Sequence, residues 1–306
     1  MTGNSKVSIL IISYNEKEYL PQAVRSCLSQ TYDNKEIIIG DDGSSDGSIE
    51  YIRSLEEAGI RHFIMQRDAG EIIPSIRVSN VIRRGLNEAK GEYFTILSGD
   101  DYYIYDQMLS EAVDFLDSHN DCVAYVGGFR QVDDAGTVIN ETIPVRTDSV
   151  IYWSGDYTHI SCFVFRKLRS CELLDRMCDD TGLQYVLAGG KWGFGNTAVL
   201  AYRQRNASIQ HMADPLELAI LEAMVLQDIM NHPNKKLLPA TFSKYYKPVK
   251  YITKHITELD DSKYGKYLRN CSMYDNDIIS AARNGKVPLH VMWVCNRYYA
   301  LRRKLS

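Results

Sequence analysis

The 306-residue sequence predicts an α/β fold: a mostly parallel sheet flanked by helices, followed by a helical, basic C-terminal extension. Three observations carry that reading. Short β-branched apolar runs alternate with stretches of helical spacing up to about residue 130. Acidic or glycine-containing turns directly follow several of the runs. Charge reverses along the chain: residues 1–234 hold 20 Lys and Arg against 34 Asp and Glu, a balance of −14, whereas 235–306 hold 15 against 5, a balance of +10. Two regions facing different partners have this pattern.

In order, VSILIIS at Val7–Ser13 is a strand covered on both faces. Lys17–Gln30 spaces Tyr19, Leu20, Ala23, Val24, Cys27 and Leu28 helically, with Pro21 tolerated in the first turn. Glu36–Gly40 is a second strand, Asp46–Leu55 a helix and His62–Met65 a third strand. Ser75–Ala89 is a helix, Tyr93–Leu97 a fourth strand, Gln107–Leu116 a helix and Cys122–Phe129 a fifth strand. Strand–helix alternation of this kind implies right-handed βαβ crossovers. Beyond Gly128 the alternation lapses. Gln131–Ile143 reads as a hairpin turning at Asp134-Ala135-Gly136, and Ile160–Phe165 as a strand. Thr181–Ala188 reads as a short helix closed by Gly189-Gly190. Asp214-Pro215 opens a helix, Asp as N-cap and Pro at the first position, reaching about Met230.

Apolar residues make up 45% and charged residues 24%, which excludes disordered and collagen-like chains. Seven cysteines, at 27, 122, 162, 171, 178, 271 and 295, include no C-x-x-C pair, so neither a disulfide framework nor a zinc knuckle is expected. Neither a secretory leader nor a spanning segment is evident, so a soluble, cytoplasmic protein is expected. The acidic part is a poor nucleic-acid groove, and no nucleic-acid partner is expected.

Three polar clusters follow predicted parallel strands: Tyr14-Asn15-Glu16, the Asp41–Ser48 run DDGSSDGS, and Ser98-Gly99-Asp100-Asp101. Open α/β sheets bind ligands at that edge. Adjacent carboxylates at Asp100 and Asp101 repel unless a cation or hydroxyls meet them. Hard oxygen ligands without His or Cys suit Mg²⁺ or Mn²⁺, held by one or two carboxylates and a diphosphate. Asp46 reads as a helix cap. Gly43-Ser44-Ser45-Asp46-Gly47 also matches the G-x-S-x-G of hydrolases, with Ser45 as nucleophile. Against it, Asp41-Asp42 would oppose an oxyanion, and only one strand precedes the motif. The G-x-G-x-x-G of dinucleotide enzymes and the G-K-[ST] of P-loops are missing.

VSILIISYNEKEYLPQAVRSCLSQTY, KEIIIGDDGSSDGS and NEAKGEYFTILSGDD, in that order and spacing, resemble the family 2 glycosyltransferases, nucleotide-sugar enzymes of the Rossmann-like GT-A fold. The resemblance covers residues 6 to about 130. It implies a catalytic domain at 1–210, with a nucleotide-sugar half at about 1–130 and an acceptor half at 131–210, and a separate helical region at 211–306. By the same resemblance Tyr14 and Asp42 hold the nucleobase, with Glu16 nearby. Asp100 reaches the ribose, and Asp101 holds Mn²⁺ or Mg²⁺ against the diphosphate. Ser98 replaces the first carboxylate of the family's D-x-D, which leaves Asp101 as the main protein ligand to the metal and keeps a non-catalytic nucleotide-sugar-binding protein as an alternative. Val81-Ile82-Arg83-Arg84 departs from the family's Ala-Arg-Asn, leaving Arg77 or Arg83 for the diphosphate.

Asp179-Asp180, the following Gly189-Gly190 and Tyr202-Arg203 resemble the family's later pattern, which makes Asp180 the general base and Asp179 its neighbour. Gly189–Gly195, with Trp192, reads as a lid over the sugar nucleotide or as a turn packing Trp192 on the sheet. His159 precedes a strand and reads as structural or as reaching an acceptor. The implied reaction is inverting transfer of a sugar from a nucleotide diphosphate, UDP by resemblance, to a hydroxyl in surface polysaccharide or glycolipid assembly. The acceptor would be a sugar or a lipid-linked sugar. The tail, with Tyr245-Tyr246, Trp293, Tyr298-Tyr299 and interleaved Lys and Arg, reads as a peripheral anchor on the anionic inner face of the membrane. It reads equally as a packing surface for the catalytic domain or a second subunit.

Overall fold

In the computed structural model, residues 5–67, 70–144, 159–169, 172–174, 180–187, 190–205, 215–231, 246–270, 280–281 and 284–285 are described. The chain divides into two compact units: Met1–Asp68, Arg77–Leu173 and Cys178–Ser208 form one, and Ala69–Ile76, Leu174–Met177 and Ile209–Ser306 the other.

The first unit is built on a nine-stranded sheet. Its strands are β1 (Val7–Ser13), β2 (Lys35–Asp41), β3 (Arg61–Ile64), β4 (Tyr93–Ser98), β5 (Tyr102–Tyr103), β6 (Cys122–Val132), β7 (Val138–Thr142), β8 (Phe163–Arg166) and β9 (Lys191–Arg203). The order is β3-β2-β1-β4-β8-β6-β9-β5, with β7 on β6. β3, β2, β1 and β4 pair in parallel, so their carboxyl ends share one edge. β8 runs antiparallel to both β4 and β6. The sheet is therefore mixed, parallel in its first half. The chain's β-branched runs sit where both faces are covered: Val7, Ile9, Leu10, Ile11, Ile38 and Ile39 are fully buried.

Helices α1 (Leu20–Leu28), α2 (Ser48–Ser54), α3 (Pro74–Glu88), α4 (Met108–Ser118) and α5 (Asp180–Leu187) follow strands or loops of this sheet. α1 starts three residues later than its spacing predicts, because Glu16 O accepts the amides of Tyr19 and Leu20, and the chain before that point is a turn. Ile160–Cys162, predicted as strand, winds into a 3₁₀ turn in which the His159 side chain accepts from Ser161 N–H. The hairpin is made by β6 and β7, since β6 continues to Val132.

The largest correction is β9. Gly189 lies outside the described residues, and a lid over the sugar nucleotide is not what Lys191–Gly195 forms: Lys191–Arg203 is a 13-residue strand parallel to β6, with only the two-residue β5 beyond it in the sheet. Trp192 is 1% exposed, packs edge-on to Phe163 at 5.4 Å and donates from its indole N–H to Leu187 O at 3.1 Å. It is a core residue. The glycines serve close approach: a Cβ on Gly193 would enter the Phe115 ring, and one on Gly195 would meet the Tyr125 hydroxyl.

In the second unit α6 (Pro215–Asn231), α7 (Tyr246–Lys254), α8 (Ile256–Asp261) and α9 (Lys263–Asn270) bury Ile220, Leu226, Val249, Ile252 and Leu259. Lys247, Lys250, Tyr251, Lys254, Lys263 and Lys266 are exposed. Asp214 and the stretch from Val291 to Lys304 lie outside the described residues. Among the described residues no helix is long and apolar enough to cross a membrane.

Candidate active site

The loops after β1 and β2 are stitched to each other. Asn15 takes a left-handed backbone (φ 53°), which its short polar side chain tolerates. Its N–H donates to Ser44 Oγ at 2.8 Å, and its Oδ1 accepts from Ser45 N–H at 2.8 Å. Glu16 N–H donates to Ser48 Oγ at 3.1 Å, and Lys17 N–H to Asp46 Oδ2 at 3.0 Å. Asp46 also accepts from Ser48 N–H and Oγ, two residues on. It thus builds the turn ahead of α2, whose N-cap is Gly47. Asp41 is fully buried, and both its carboxylate oxygens accept from Ser44, at 2.7 Å from N–H and 2.6 Å from Oγ. The serines of this run are turn residues, which removes the G-x-S-x-G match from consideration as a nucleophile elbow.

Tyr14 and Asp42 flank these bonds, Tyr14 exposed and Asp42 largely buried. Tyr14 is 38% exposed, with the Arg67 guanidinium 4.0 Å over its ring. Asp42 is paired with Arg77 Nε at 3.1 Å. Burial raises the Asp42 pKa, and Arg77 opposes that rise. Arg77 therefore stands at the Tyr14–Asp42 end.

The third cluster follows β4. Asp101 is 1% exposed; its Oδ1 accepts from Arg203 N–H at 2.9 Å, while its Oδ2 has no hydrogen-bond partner. Burial, and then the neighbouring Asp100 carboxylate, push the Asp101 pKa well up. Glu16 reaches the same place: Gly99 leaves room for it, since a Cβ there would collide with Glu16 Oε2. That oxygen is also buried without a partner, and burial followed by Asp100 raises the Glu16 pKa well above its usual range. His159 Nε2 lies 3.8 Å from Asp101 Oδ2, beneath Tyr202 at 4.3 Å between ring centroids. Burial lowers the His159 pKa to about 4. The ring is thus neutral near pH 7, and since Nδ1 accepts from Ser161 N–H, its proton sits on Nε2, toward Asp101.

Two arginines that the sequence reading left unassigned complete the cluster. Arg203, 4% exposed, donates to Asp100 O, Asp133 O, Asp134 O and Gln22 Oε1 at 2.7–3.3 Å, tying the acidic turn to the β6–β7 hairpin and α1. Arg205 Nη1 meets Asp100 Oδ2 at 3.0 Å and Glu16 Oε1 at 3.8 Å, over the Tyr19 ring at 4.5 Å. The signal was the alternation Tyr202-Arg203-Gln204-Arg205, which puts two cations on one face where β9 ends. Arg83, further along α3, is half-buried.

Glu16, Asp100 and Asp101 are thus brought together, with Tyr14, Asp42 and Arg77 at the neighbouring strand ends. Asp180 begins α5; its side chain, and Asp179, lie outside the described residues. Among the described residues no three His, Cys, Asp or Glu side chains are grouped to enclose a metal. An oxygen such as Asp101 Oδ2, buried and unpaired, nevertheless fits a hard cation whose remaining shell is diphosphate and water.

The model of glycosyl transferase family 2 matches residues 8–169. A Rickettsia conorii glycosyltransferase is 34% identical over 148 residues, 47% of this chain and 22% of that protein. An Escherichia coli UDP-Glc:α-D-GlcNAc-diphosphoundecaprenol β-1,3-glucosyltransferase, WfaP, is 30% identical over 130 residues, 42% of this chain and 47% of WfaP. The chain thus spans from about a fifth to just under half of these relatives. Among solved structures, S. aureus TarS 1–349 in complex with UDP-GlcNAc superposes with a TM-score of 0.60 over 97% of this chain and 92% of that one, at 13% identity. That likeness establishes the fold as GT-A.

Proposed function

We propose, for a chain that belongs to glycosyl transferase family 2, that it moves a sugar from a nucleotide-diphosphate sugar, UDP being the nucleotide, to an acceptor hydroxyl with inversion. One observation carries the reading. Among the described residues, the five buried polar side-chain atoms without a hydrogen-bond partner are Ser13 Oγ, Glu16 Oε2, Asp101 Oδ2, Ser161 Oγ and Gln204 Nε2. Two of them, Glu16 Oε2 and Asp101 Oδ2, are carboxylate oxygens of the one acidic cluster. Native proteins leave few such atoms, and two in one cluster mark where a polar ligand is met.

In this reading Tyr14 stacks on the base, and Asp42, braced by Arg77, accepts from it. Asp100 meets the ribose and Glu16 closes the floor beneath. Asp101 would hold Mg²⁺ or Mn²⁺, and the ion when bound supplies positive charge against the departing diphosphate. Asp180, opening α5, takes the acceptor proton as the hydroxyl oxygen attacks the anomeric carbon opposite the leaving group. No covalent nucleophile is needed. WfaP's name specifies a UDP-sugar and a lipid-linked acceptor, which supports UDP here and an acceptor of that class. The exposed lysines of α7 and α9 support contact of the C-terminal region with an anionic membrane, each basic residue adding about 1 kcal/mol near the surface. Flotation with anionic vesicles at low and high salt checks that contact; no flotation at low salt refutes it. The transferase reading is tested by release of UDP from UDP-sugars with a lipid-linked acceptor present. Lack of turnover with every sugar nucleotide that binds would leave the non-catalytic alternative standing.

A further inference from the structure

Arg203 and Arg205 differ in what they hold. Arg203 is nearly fully buried and committed to three backbone carbonyls and an amide oxygen. Those are fixed acceptors, so Arg203 is a brace. Arg205 instead faces two carboxylates, Asp100 Oδ2 at 3.0 Å and Glu16 Oε1 at 3.8 Å, and lies over the Tyr19 ring. Its side chain is 20% exposed, against 17% for Asp100 and 15% for Glu16. Of the two arginines beside Asp100 and Asp101 it is the one whose guanidinium is paired with carboxylates, in a group that includes Asp101, whose Oδ2 has no partner.

We infer that Arg205 is a resident counter-cation that holds Asp100 and Glu16 before the donor arrives and turns to the donor's diphosphate when it binds, coupling diphosphate binding to divalent-cation binding. The inference rests on the nucleotide-sugar reading and goes beyond it by assigning a residue and a linkage. The charge logic is direct. While Arg205 neutralises Asp100 and Glu16, it also repels a second cation at Asp101, and a divalent ion alone binds poorly. A diphosphate offers the guanidinium a planar, bidentate anionic partner. Once Arg205 turns, Asp100 and Glu16 lose their ion-pair partner, and the site attracts a divalent cation more strongly. Each ligand then strengthens the other by the same factor, as linkage requires.

The test uses the full chain and two probes, Mn²⁺ and UDP. Free Mn²⁺ is followed by electron paramagnetic resonance during titration, with and without saturating UDP. In the unaltered protein UDP should tighten Mn²⁺ by about tenfold or more, within the usual range of coupling energies. In Arg205→Gln, Mn²⁺ alone should bind several-fold tighter, and the gain from UDP should shrink to about twofold or less. Asp100→Asn, which removes the other half of the pair, should lose the coupling too and serves if the arginine variant does not fold. Thermal melts establish folding of both. If the unaltered protein shows the coupling and a folded variant retains it, Arg205 is not the link and the inference fails alone. If the unaltered protein binds neither probe, the nucleotide-sugar reading fails and takes the inference with it.

Discussion

Asp41-Asp42 closes β2, and Asp100-Asp101 follows β4 one strand beyond β1. Both are Asp pairs on the same sheet edge, in each the first or second carboxyl is fully buried, and their surroundings treat them oppositely. Asp41 has an acceptor role at both oxygens, filled by Ser44, and its partner Asp42 has Arg77. Asp101 has one oxygen filled by Arg203 N–H and one left buried without a donor. A buried acceptor without a partner costs upwards of about 1–3 kcal/mol, more when charged. The first pair holds the loop in place. The second holds a cost that a bound cation would offset.

That contrast sets the order of expected effects. Asp101→Asn keeps the oxygen that Arg203 N–H needs and removes the charge, so turnover should fall about 10³-fold. Its melting temperature in EDTA should be unchanged or raised. A variant that loses stability in step with activity would put Asp101 in the same class as Asp41. Asp180→Asn should lower turnover about 10²-fold with donor binding little changed, measured as kcat against Kd. Donor binding lost in proportion would move Asp180 from proton acceptor to donor ligand.

Asp41→Ala should do the reverse of Asp101→Asn, costing about 2–3 kcal/mol in urea unfolding, because it strips a buried carboxylate of bonds made from both oxygens. Asp42→Asn should weaken donor binding about tenfold, or about 1.4 kcal/mol, by calorimetry, with little change in stability.

The smallest effect is in pH. A carboxyl whose pKa is raised on folding binds its proton more tightly folded than unfolded, so its stability penalty is present at neutral pH and relieved as pH falls through the raised value. Burial and Asp100 raise Asp101 in this way. In EDTA the stability advantage of Asp101→Asn over the unaltered protein should therefore be greatest near pH 8 and shrink on acidification. His159, lowered to about 4, works oppositely: its contribution is complete above about pH 6.5 and lost toward pH 4. It remains in both proteins, which is why the difference between them is the quantity to follow. A difference that stays flat with pH would contradict the burial account of Asp101.

The parallel half of the sheet was legible in the sequence because each strand is a dense β-branched run: Val7–Ser13 was predicted with its observed bounds. The three edge clusters were legible for the same reason, since strand ends locate them. β9 was not legible as a 13-residue strand, because Gly193 and Gly195 imitate a flexible loop; what removes their side chains is the approach of Phe115 and Tyr125, long-range neighbours no local pattern reveals. Of the two readings of Trp192, part of a lid or packed on the sheet, the core position agrees with the second. Two-residue β5 is defined only by its pairing with β9. Tyr14 and Asp42 could be named from motifs, and Arg77 as one of two arginines expected at the diphosphate, whereas the Arg205–Asp100–Glu16 triangle joins three segments, the furthest pair 189 positions apart in sequence, and only the fold assembles it.

The central claim is that Asp101 and a divalent cation together receive a nucleotide diphosphate. Calorimetric titration of UDP-sugars and other sugar nucleotides, in Mn²⁺ and again in EDTA, measures it directly. The account predicts one-to-one binding of at least one UDP-sugar between about 1 μM and 1 mM in Mn²⁺, weakened about tenfold or more by EDTA, with Asp101→Asn in Mn²⁺ matching the unaltered protein in EDTA. Equal affinity with and without the metal, or an Asp101→Asn variant that still responds to Mn²⁺ in full, would contradict it.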